Sequence, residues 1–244
     1  MQTPAIEMKG ITKIYPNGVV ANKDVDFSVD YGEIHAVMGE NGAGKSTLMK
    51  MLFGLEKIDK GEVLFEGRPV RINSPAEAIN LKIGMVHQEF MLLPSYTVTE
   101  NVKLNRENTK PNVVSRLVGS SMSTLDRRHM KSDTKEALDK IHLKVDPSTV
   151  VGSMSVGYKQ FVEIAREIDK KNIKLIVFDE PTAVLTDMES TWLLDTIREI
   201  SAAGVAVIFI SHKLNEIMEV ADRCSVLRKG KYIGTVNIAE TSRE

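Results

Sequence analysis

The stretch Gly39-Glu40-Asn41-Gly42-Ala43-Gly44-Lys45-Ser46 fits the pattern G-x-x-x-x-G-K-[ST]. The apolar residues 34–38 before it predict a buried strand, and a helix is predicted from Ser46 to about Phe53. Glycines let such a loop curl until its N–H groups point at one anion, and the helix adds the positive end of its dipole. The stretch is therefore predicted to hold the phosphates of a nucleotide, in preference to forming a plain glycine turn before a surface helix.

The side chains of this loop have distinct predicted tasks. The Lys45 ammonium would reach the β- and γ-phosphates, and the Ser46 hydroxyl would bind Mg²⁺. The residues predicted to bind the nucleotide here are Gly39, Asn41, Gly42, Ala43, Gly44, Lys45, Ser46 and Thr47.

A second part of the site is predicted where the apolar run 175–178 ends in Asp179 and Glu180. Ligands of parallel α/β sheets bind at the carboxyl ends of the strands, which is where both carboxylates would lie. Asp179 would hold Mg²⁺ through water, and Glu180 would polarise or anchor the attacking water as a general base. Taken alone, two such carboxylates are as often helix caps, but together with the phosphate loop they favour catalysis.

The composition excludes several classes of protein. With 32 basic against 33 acidic residues, the net charge of -1 gives no bulk tendency to bind nucleic acid or anionic lipid. The single cysteine, Cys224, excludes an intrachain disulfide and a cysteine metal cluster. The most apolar run, residues 205–210, is far shorter than the roughly 20 residues that span a bilayer, and residues 1–7 lack the pattern of a signal peptide. We therefore expect a cytoplasmic protein that reaches a membrane only through a partner.

The order of predicted elements favours an α/β fold. In the last third, strands at 174–178 and 204–210 alternate with helices at 187–200 and 213–221. This alternation implies a mainly parallel sheet covered on both faces. The first third is predicted to consist of strands joined by turns.

The middle of the chain, roughly residues 99–150, is predicted to be a small helical lobe. Residues 105–123 are polar and aperiodic, which indicates a loop or insertion. Residues 123–126 resemble a capping box that opens a helix, with Leu138 and Ile141 on one face of that helix.

Four further features narrow the class of nucleotide-binding protein. Residues 154–158, Met-Ser-Val-Gly-Tyr, resemble the LSGGQ signature of ATP-binding cassette (ABC) ATPases. Gln88, His212 and Tyr15 are similar to that family's Q-loop glutamine, switch histidine and adenine-stacking aromatic. Residues 22–25 begin like the N-K-x-D guanine box of GTPases but end in valine. Because these features follow the family's order, the chain resembles ABC ATPases over almost its whole length.

The resemblance implies a P-loop cassette fold with an added antiparallel β subdomain. The core and β subdomain would comprise residues 1–88 and 172–244, and a helical subdomain would comprise residues 89–171. The resemblance also implies an ATPase that uses ATP and Mg²⁺. On this basis the catalytic residues would be Glu180, His212, Gln88 and Lys45, and the metal ligands Ser46, Gln88 and Asp179.

In the family, two cassettes sandwich two ATP molecules head to tail. The resemblance implies that Ser155 and Gly157, at the start of a helix, bind the γ-phosphate of an ATP held by a second cassette. Hydrolysis would let the pair reopen, and Gln88 with the apolar residues 90–94 would carry the motion to a membrane permease. Three positions depart from the family's signature and D-loop, namely Val156, Tyr158 and Thr186. These departures leave open how strongly this signature binds the ATP held by the partner cassette.

The segments 72–78 and 83–90 resemble importer ATPases for monosaccharides or nucleosides. Such proteins work with integral permease subunits and an extracytoplasmic solute-binding protein, and residues 84–93 and 97–101 favour nucleosides as the cargo. They carry two cassettes in tandem, so this chain resembles the N-terminal cassette of a longer protein at the cytoplasmic face of the membrane. The alternative is a soluble ABC ATPase acting on nucleic acid or the ribosome. For that alternative, the basic residues between 105 and 131 are the candidate nucleic-acid-binding arm. The preferred interpretation of this segment is a solvated surface insertion.

Overall fold

The computed structural model of the protein describes residues 3–110, 124–170 and 172–241. The chain divides into two compact units, the first made of Met1–Gln88 and Asn172–Glu244 and the second of Glu89–Lys171. The strands in the described residues are β1 (Ile6–Ile14), β2 (Val20–Val29), β3 (Ile34–Met38), β4 (Lys60–Phe65), β5 (Arg68–Val70), β6 (Ile83–Val86), β7 (Thr109–Lys110), β8 (Thr124–Leu125), β9 (Leu175–Asp179), β10 (Ala206–Ile210), β11 (Arg223–Arg228) and β12 (Lys231–Asn237). The α-helices in the same residues are α1 (Lys45–Leu52), α2 (Pro75–Asn80), α3 (Val98–Lys103), α4 (Arg127–Asp139), α5 (Val156–Ile168), α6 (Asp187–Ala202) and α7 (Leu214–Val220).

A six-stranded sheet forms the centre of the first unit, in the order β12-β11-β3-β10-β9-β6. Neighbouring strands are parallel except for β12, which runs antiparallel to β11. Every residue of β9 and β10 is buried, as expected of parallel strands that are covered on both faces. The register sets Ile210 beside Asp179, so the carboxyl ends of β9 and β10 lie next to each other. The predicted α/β class with a mainly parallel sheet is therefore confirmed.

A second sheet of the first unit is antiparallel and has the order β2-β1-β4-β5. In β2 the residues Val25, Phe27 and Val29 are buried and alternate with more exposed neighbours, as expected of a sheet with one face on the core. That face packs into one apolar cluster together with α1 and strands of the parallel sheet. Burying this face against the cluster fixes the antiparallel sheet within the unit.

The second unit is built on α3, α4 and α5. Its interior includes Lys103, a nearly buried ammonium that bonds Asp133 at 2.8 Å and Asp169 at 2.7 Å. Arg106 bonds the other oxygen of Asp169 at 2.9 Å. Buried charges are tolerated only when they are paired, so these bonds fix the ends of α3 and α5 and the middle of α4 relative to one another.

The start of α4 differs from the prediction. The helix begins at Arg127 and not in residues 123–126, because the Asp126 carboxylate accepts the His129 N–H and acts as the N-cap. Thr124–Leu125 before it pairs as a short strand with Thr109–Lys110, so part of the predicted loop 105–123 is β structure. Residues 111–123, which include the part of that loop after Lys110 and the first residue of the predicted capping box, lie outside the described residues.

The end of α4 and the presence of α3 also differ from the prediction. Leu138 and Ile141 are both buried, but Ile141 follows the end of α4. Helix α3 was not predicted, although Thr97 and Glu100 form a capping box in which each side chain bonds the other residue's backbone. In the described part of the chain, no helix is both long enough and apolar enough to cross a membrane.

Candidate functional site

A pocket of about 320 Å³ in the first unit lies over the glycine-rich loop between β3 and α1. The residues that line it are Asn41, Gly42, Ala43, Gly44, Lys45, Ser46, Thr47, Gln88 and Glu180. The structure thus brings Gln88, from the end of β6, and Glu180, from the end of β9, to the predicted phosphate loop. Of the loop residues predicted to bind the nucleotide, Gly39 alone is not part of the lining.

Glycine is required at two positions of the loop by close backbone neighbours. A Cβ on Gly39 would lie 2.4 Å from the Leu227 carbonyl oxygen. A Cβ on Gly44, whose φ is 100°, would lie 2.3 Å from the Ala21 carbonyl oxygen. Such distances are far below contact, so the loop can lie this close to β2 and β11 only because it lacks side chains there. A loop with its backbone freed of side chains is what binding phosphate through N–H groups requires.

The Lys45 ammonium is held inside the loop. It is nearly buried and donates to the carbonyl oxygens of Gly39 at 2.7 Å and Glu40 at 3.2 Å. These are neutral acceptors, so the positive charge keeps the capacity to bind an anion that enters the pocket. The arrangement suits the phosphate-binding task predicted for Lys45.

Asn22 of β2, which was not predicted to belong to the site, supports the loop from behind. Its side chain is fully buried, and its Nδ2 donates to the Gly44 carbonyl oxygen at 3.2 Å. The Gly230 N–H donates to the Ala43 carbonyl oxygen at 3.1 Å, so the turn between β11 and β12 holds the loop as well. Only the failed match to a guanine box drew attention to Asn22 in the sequence, and nothing local indicates that it lies under the loop.

Ser46 and Asp179 come together across the first unit. The Ser46 hydroxyl donates to Oδ1 of Asp179 at 3.3 Å. Burial raises the pKa of Asp179, the bond from Ser46 opposes this, and the charge of Glu180 raises it further. A hydroxyl and a carboxylate oxygen beside a phosphate loop are the hard oxygen ligands that Mg²⁺ prefers, and Gln88 adds an amide oxygen at the pocket wall. The residues present therefore fit the predicted metal.

Glu180 follows β9 in an unusual conformation. Its φ is 49°, in the left-handed region, and its N–H donates to the Ile210 carbonyl oxygen at 3.0 Å. Its Oε1 lies 3.5 Å from Nδ1 of His212, which follows β10. Strain of this kind costs about 1–3 kcal/mol and persists where surrounding contacts enforce it, often at active sites. The structure thus places Glu180 and His212, two of the four residues predicted to be catalytic, beside each other, with Glu180 in the lining of the pocket.

Tyr15 lies in the turn that follows β1. Its N–H donates to the Val19 carbonyl oxygen at 2.9 Å, and the Lys13 ammonium lies 5.5 Å from the centre of its ring. The ring is partly exposed, but it is not part of the lining of the 320 Å³ pocket. Its predicted stacking on adenine stays a prediction.

Ser155 and Gly157 belong to the second unit, where they begin α5. Ser155 is the N-cap residue, but its hydroxyl makes no capping bond. Gly157 is buried in the first turn, whereas Val156 and Tyr158 are 42% and 41% exposed. The two departures from the signature thus lie on the surface and leave the start of the helix intact.

Thr186, the third departure, has a structural task. Its hydroxyl accepts the Glu189 N–H at 3.3 Å, and the Glu189 carboxylate accepts the Thr186 N–H at 3.0 Å. This capping box begins α6, and threonine is one of the residues preferred at an N-cap.

The segment after Gln88 is held by side chains of α3 and α5 in the second unit. The Glu163 carboxylate accepts the Met91 N–H at 2.5 Å, and Arg166 donates to the Met91 carbonyl oxygen at 2.9 Å. Asn101 likewise bonds both the N–H and the carbonyl oxygen of Leu93. Helices α3 and α5 therefore fix the backbone of this segment while the side chains of Met91 and Leu93 stay exposed.

Comparison with known proteins identifies a family and a shared fold. Residues 22–183 match the model of a protein family described as ABC transporter. The chain is 44% identical over 230 residues to a galactose/methyl galactoside import ATP-binding protein of Clostridium tetani, which covers 94% of this chain and 44% of the relative. It is 42% identical over 241 residues to a ribose import ATP-binding protein of Rubrobacter xylanophilus, which covers 99% of this chain and 46% of the relative. The chain thus spans a little under half the length of these curated relatives.

Solved structures share the fold. A nucleotide-free ATP-binding cassette from an ABC transporter superposes with a TM-score of 0.82 at 26% identity, covering 96% of this chain and 91% of the other. A cassette dimer in a post-hydrolysis state with bound ADP and Pi gives a TM-score of 0.78 at 25% identity, covering 96% and 98%. The cassette fold predicted from the sequence is therefore confirmed.

Proposed function

Because the chain belongs to the ABC transporter family, a family of ATPases, we propose that it is the ATP-hydrolysing cassette of an importer. The observation that carries this proposal is that Lys45, Ser46 and Glu180 line one pocket. Asp179 accepts a hydrogen bond from Ser46, and His212 lies 3.5 Å from Glu180. A loop that holds phosphate, a hard-oxygen metal site and a carboxylate that orients water are the parts that phosphoryl transfer to water requires.

Each part has a proposed task. The loop N–H groups and the Lys45 ammonium bind the β- and γ-phosphates, and Ser46, Asp179 and Gln88 hold Mg²⁺. The metal ion, when bound, neutralises charge that develops on the phosphate oxygens. Glu180 accepts a proton from the attacking water, and His212 keeps the Glu180 carboxylate oriented. Tyr15 stacks on the adenine ring, and Ser155 and Gly157 bind the γ-phosphate of an ATP held by a partner cassette.

The proposed cargo is a simple sugar. The resemblance of residues 84–93 and 97–101 favoured a nucleoside as the cargo. The relatives, however, are named for the import of galactose, methyl galactoside and ribose. The proposed partners are a second cassette, integral permease subunits and, through them, an extracytoplasmic solute-binding protein. The site of action is then the cytoplasmic face of the membrane, and nucleic acid is not a partner.

The test is ATP turnover by the whole protein, assembled in membranes with its permease and binding protein. Galactose, ribose and a nucleoside would be added in turn, with Glu180→Gln as the inactive reference. We expect a sugar to stimulate ATP turnover. Stimulation by the nucleoside alone would show that the transported substrate is a nucleoside and would leave the proposed ATPase role unchanged. Absence of ATP turnover under every condition would refute the proposal, and RNA binding that weakens steeply with salt would favour the soluble alternative.

A further inference from the structure

Glu216 of α7 lies outside the nucleotide pocket, yet it bonds the residues that flank both Glu180 and His212. Its Oε2 accepts the Thr182 hydroxyl at 2.7 Å and the Ser211 hydroxyl at 3.0 Å. Its Oε1 lies 2.9 Å from the Lys213 ammonium. One carboxylate therefore joins the loop after β9 to the loop after β10.

The bonded residues are the immediate neighbours of the site. Ser211 precedes His212 and Lys213 follows it, while Thr182 comes two residues after Glu180. The Lys213 ammonium also donates to the Thr182 carbonyl oxygen at 3.2 Å, and the Lys213 N–H donates to the Ser211 hydroxyl at 3.0 Å. The contacts form a closed network across the two loops.

His212 needs such support because little else holds it. Its side chain is 53% exposed, and its contact with Glu180 at 3.5 Å is long for a hydrogen bond. Thr182 and Ser211, by contrast, are each 2% exposed, and Glu216 is 8% exposed. A buried network with a shared charged acceptor holds its members more firmly than exposed contacts can.

We propose that Glu216 is a positioning residue, which fixes the His212 loop against the Glu180 loop so that the two side chains meet in one geometry. This inference rests on the proposed function of the site. Glu216 does not line the nucleotide pocket and has no contact with substrate in this role. Displacement of a catalytic group by about 1 Å costs as much as two orders of magnitude in rate, so the network would act on turnover and not on nucleotide affinity.

The first variant is Glu216→Gln in the whole protein assembled with its permease and binding protein. The amide keeps one oxygen for a hydroxyl but loses the charge that Lys213 and the two hydroxyls share. We expect kcat for ATP to fall about tenfold or more, with KM and the Kd of a non-hydrolysable ATP analogue changed less than about twofold. Glu219→Gln is the matched control, because Glu219 lies on the same helix and its carboxylate, within the part of the chain that the structure describes, contacts Arg198 at the surface and no member of the network. It should leave kcat unchanged.

A second variant keeps the test decisive if Glu216→Gln folds poorly. Thr182→Val keeps the shape of the side chain and removes one donor to Glu216, and we expect a fall in kcat of a few fold with unchanged nucleotide binding. The double variant should be no slower than Glu216→Gln alone, because both changes break the same network. Normal kcat in either well-folded single variant, or a loss of kcat matched by a loss of nucleotide binding, would overturn the inference. Absence of ATP turnover in the unchanged protein and in Glu219→Gln would instead refute the proposed function.

Discussion

The hydroxyl of Ser46 donates to Oδ1 of Asp179 at 3.3 Å across 133 positions of sequence. Ser46 lies in the first turn of α1 and Asp179 is the last residue of β9, and β3 and β9 both flank β10 in the parallel sheet. The bond joins the phosphate loop to the acidic end of a strand, which is the position where a divalent cation would bridge protein and phosphate.

Ser46→Ala should weaken nucleotide binding only when Mg²⁺ is present, since the hydroxyl serves the metal and not the loop. We expect the gain in affinity that Mg²⁺ gives to fall by about tenfold, which corresponds to about 1.4 kcal/mol. Titration of an ATP analogue in Mg²⁺ and in EDTA measures this, and the EDTA affinity is the internal control. Equal losses in both buffers would assign Ser46 to the loop structure instead.

Glu180→Gln should abolish hydrolysis while leaving nucleotide binding intact, because the amide cannot accept the proton of the attacking water. The expected loss in kcat is at least about 10²-fold, with ATP-bound cassette dimers accumulating. Turnover and gel filtration in the presence of ATP report the two effects. The control is Glu62→Gln, an exposed residue of β4, which should change neither. Undiminished turnover in Glu180→Gln would remove the role proposed for this carboxylate.

Gly44→Ala should destabilise the first unit and prevent ATP binding. The new Cβ would meet the Ala21 carbonyl oxygen at 2.3 Å and the Asn22 amide nitrogen at 2.7 Å, in a backbone with φ of 100°. Gly18→Ala is the matched control, because its φ is 82° but no atom of the described residues lies within 4 Å of the new Cβ. The control should cost about 1–2 kcal/mol of backbone strain and keep ATP binding. Thermal melting and nucleotide titration compare the two, and equal effects would show that the clash is relieved at no cost.

Glu163→Gln should change how stability depends on pH. Burial raises the pKa of Glu163 to about 7 in the folded protein, against the Met91 N–H and the Arg166 charge, and Glu167 raises it further. The ordinary value is 4.5, so the folded protein binds a proton more tightly than the unfolded chain does. The stability from this group is present in full below pH 4.5 and is lost as pH rises through about 7.

The stability of Glu163→Gln relative to the unchanged chain should therefore rise from pH 4 to pH 8, by roughly 3 kcal/mol at most. Denaturant unfolding at a series of pH values measures the difference. Glu136→Gln makes the same change at a side chain that is 69% exposed, and it should leave the pH dependence unaltered. A constant difference between Glu163→Gln and the unchanged chain would show that Glu163 ionises as freely in the folded protein as in the unfolded chain.

Local patterns predicted the parts of the protein that depend on near neighbours in sequence. Apolar runs predicted β3, β9 and β10, and the glycine pattern predicted the loop that lines the pocket. The capping box formed by Thr97 and Glu100 is itself a local signal for the start of α3, although no helix was predicted at residues 98–103. The prediction that a helix opens within residues 123–126 was wrong. Asp126 is the N-cap, so the helix begins at Arg127, and Thr124–Leu125 pairs with another strand.

The sequence by itself determined which charged and hydroxyl side chains follow buried strands and the glycine-rich loop. Runs of apolar residues and the spacing of glycines are local patterns, so they can be recognised without the fold. Tertiary structure alone decided that Asn22 supports Gly44, that Glu216 joins the two loops beside Glu180 and His212, and that Glu163 holds Met91. The physical reason is that each of these side chains is an ordinary polar residue in its own segment. Its task arises only when the fold buries it beside a backbone group or hydroxyl from a distant part of the chain, where an unpaired polar atom would be costly.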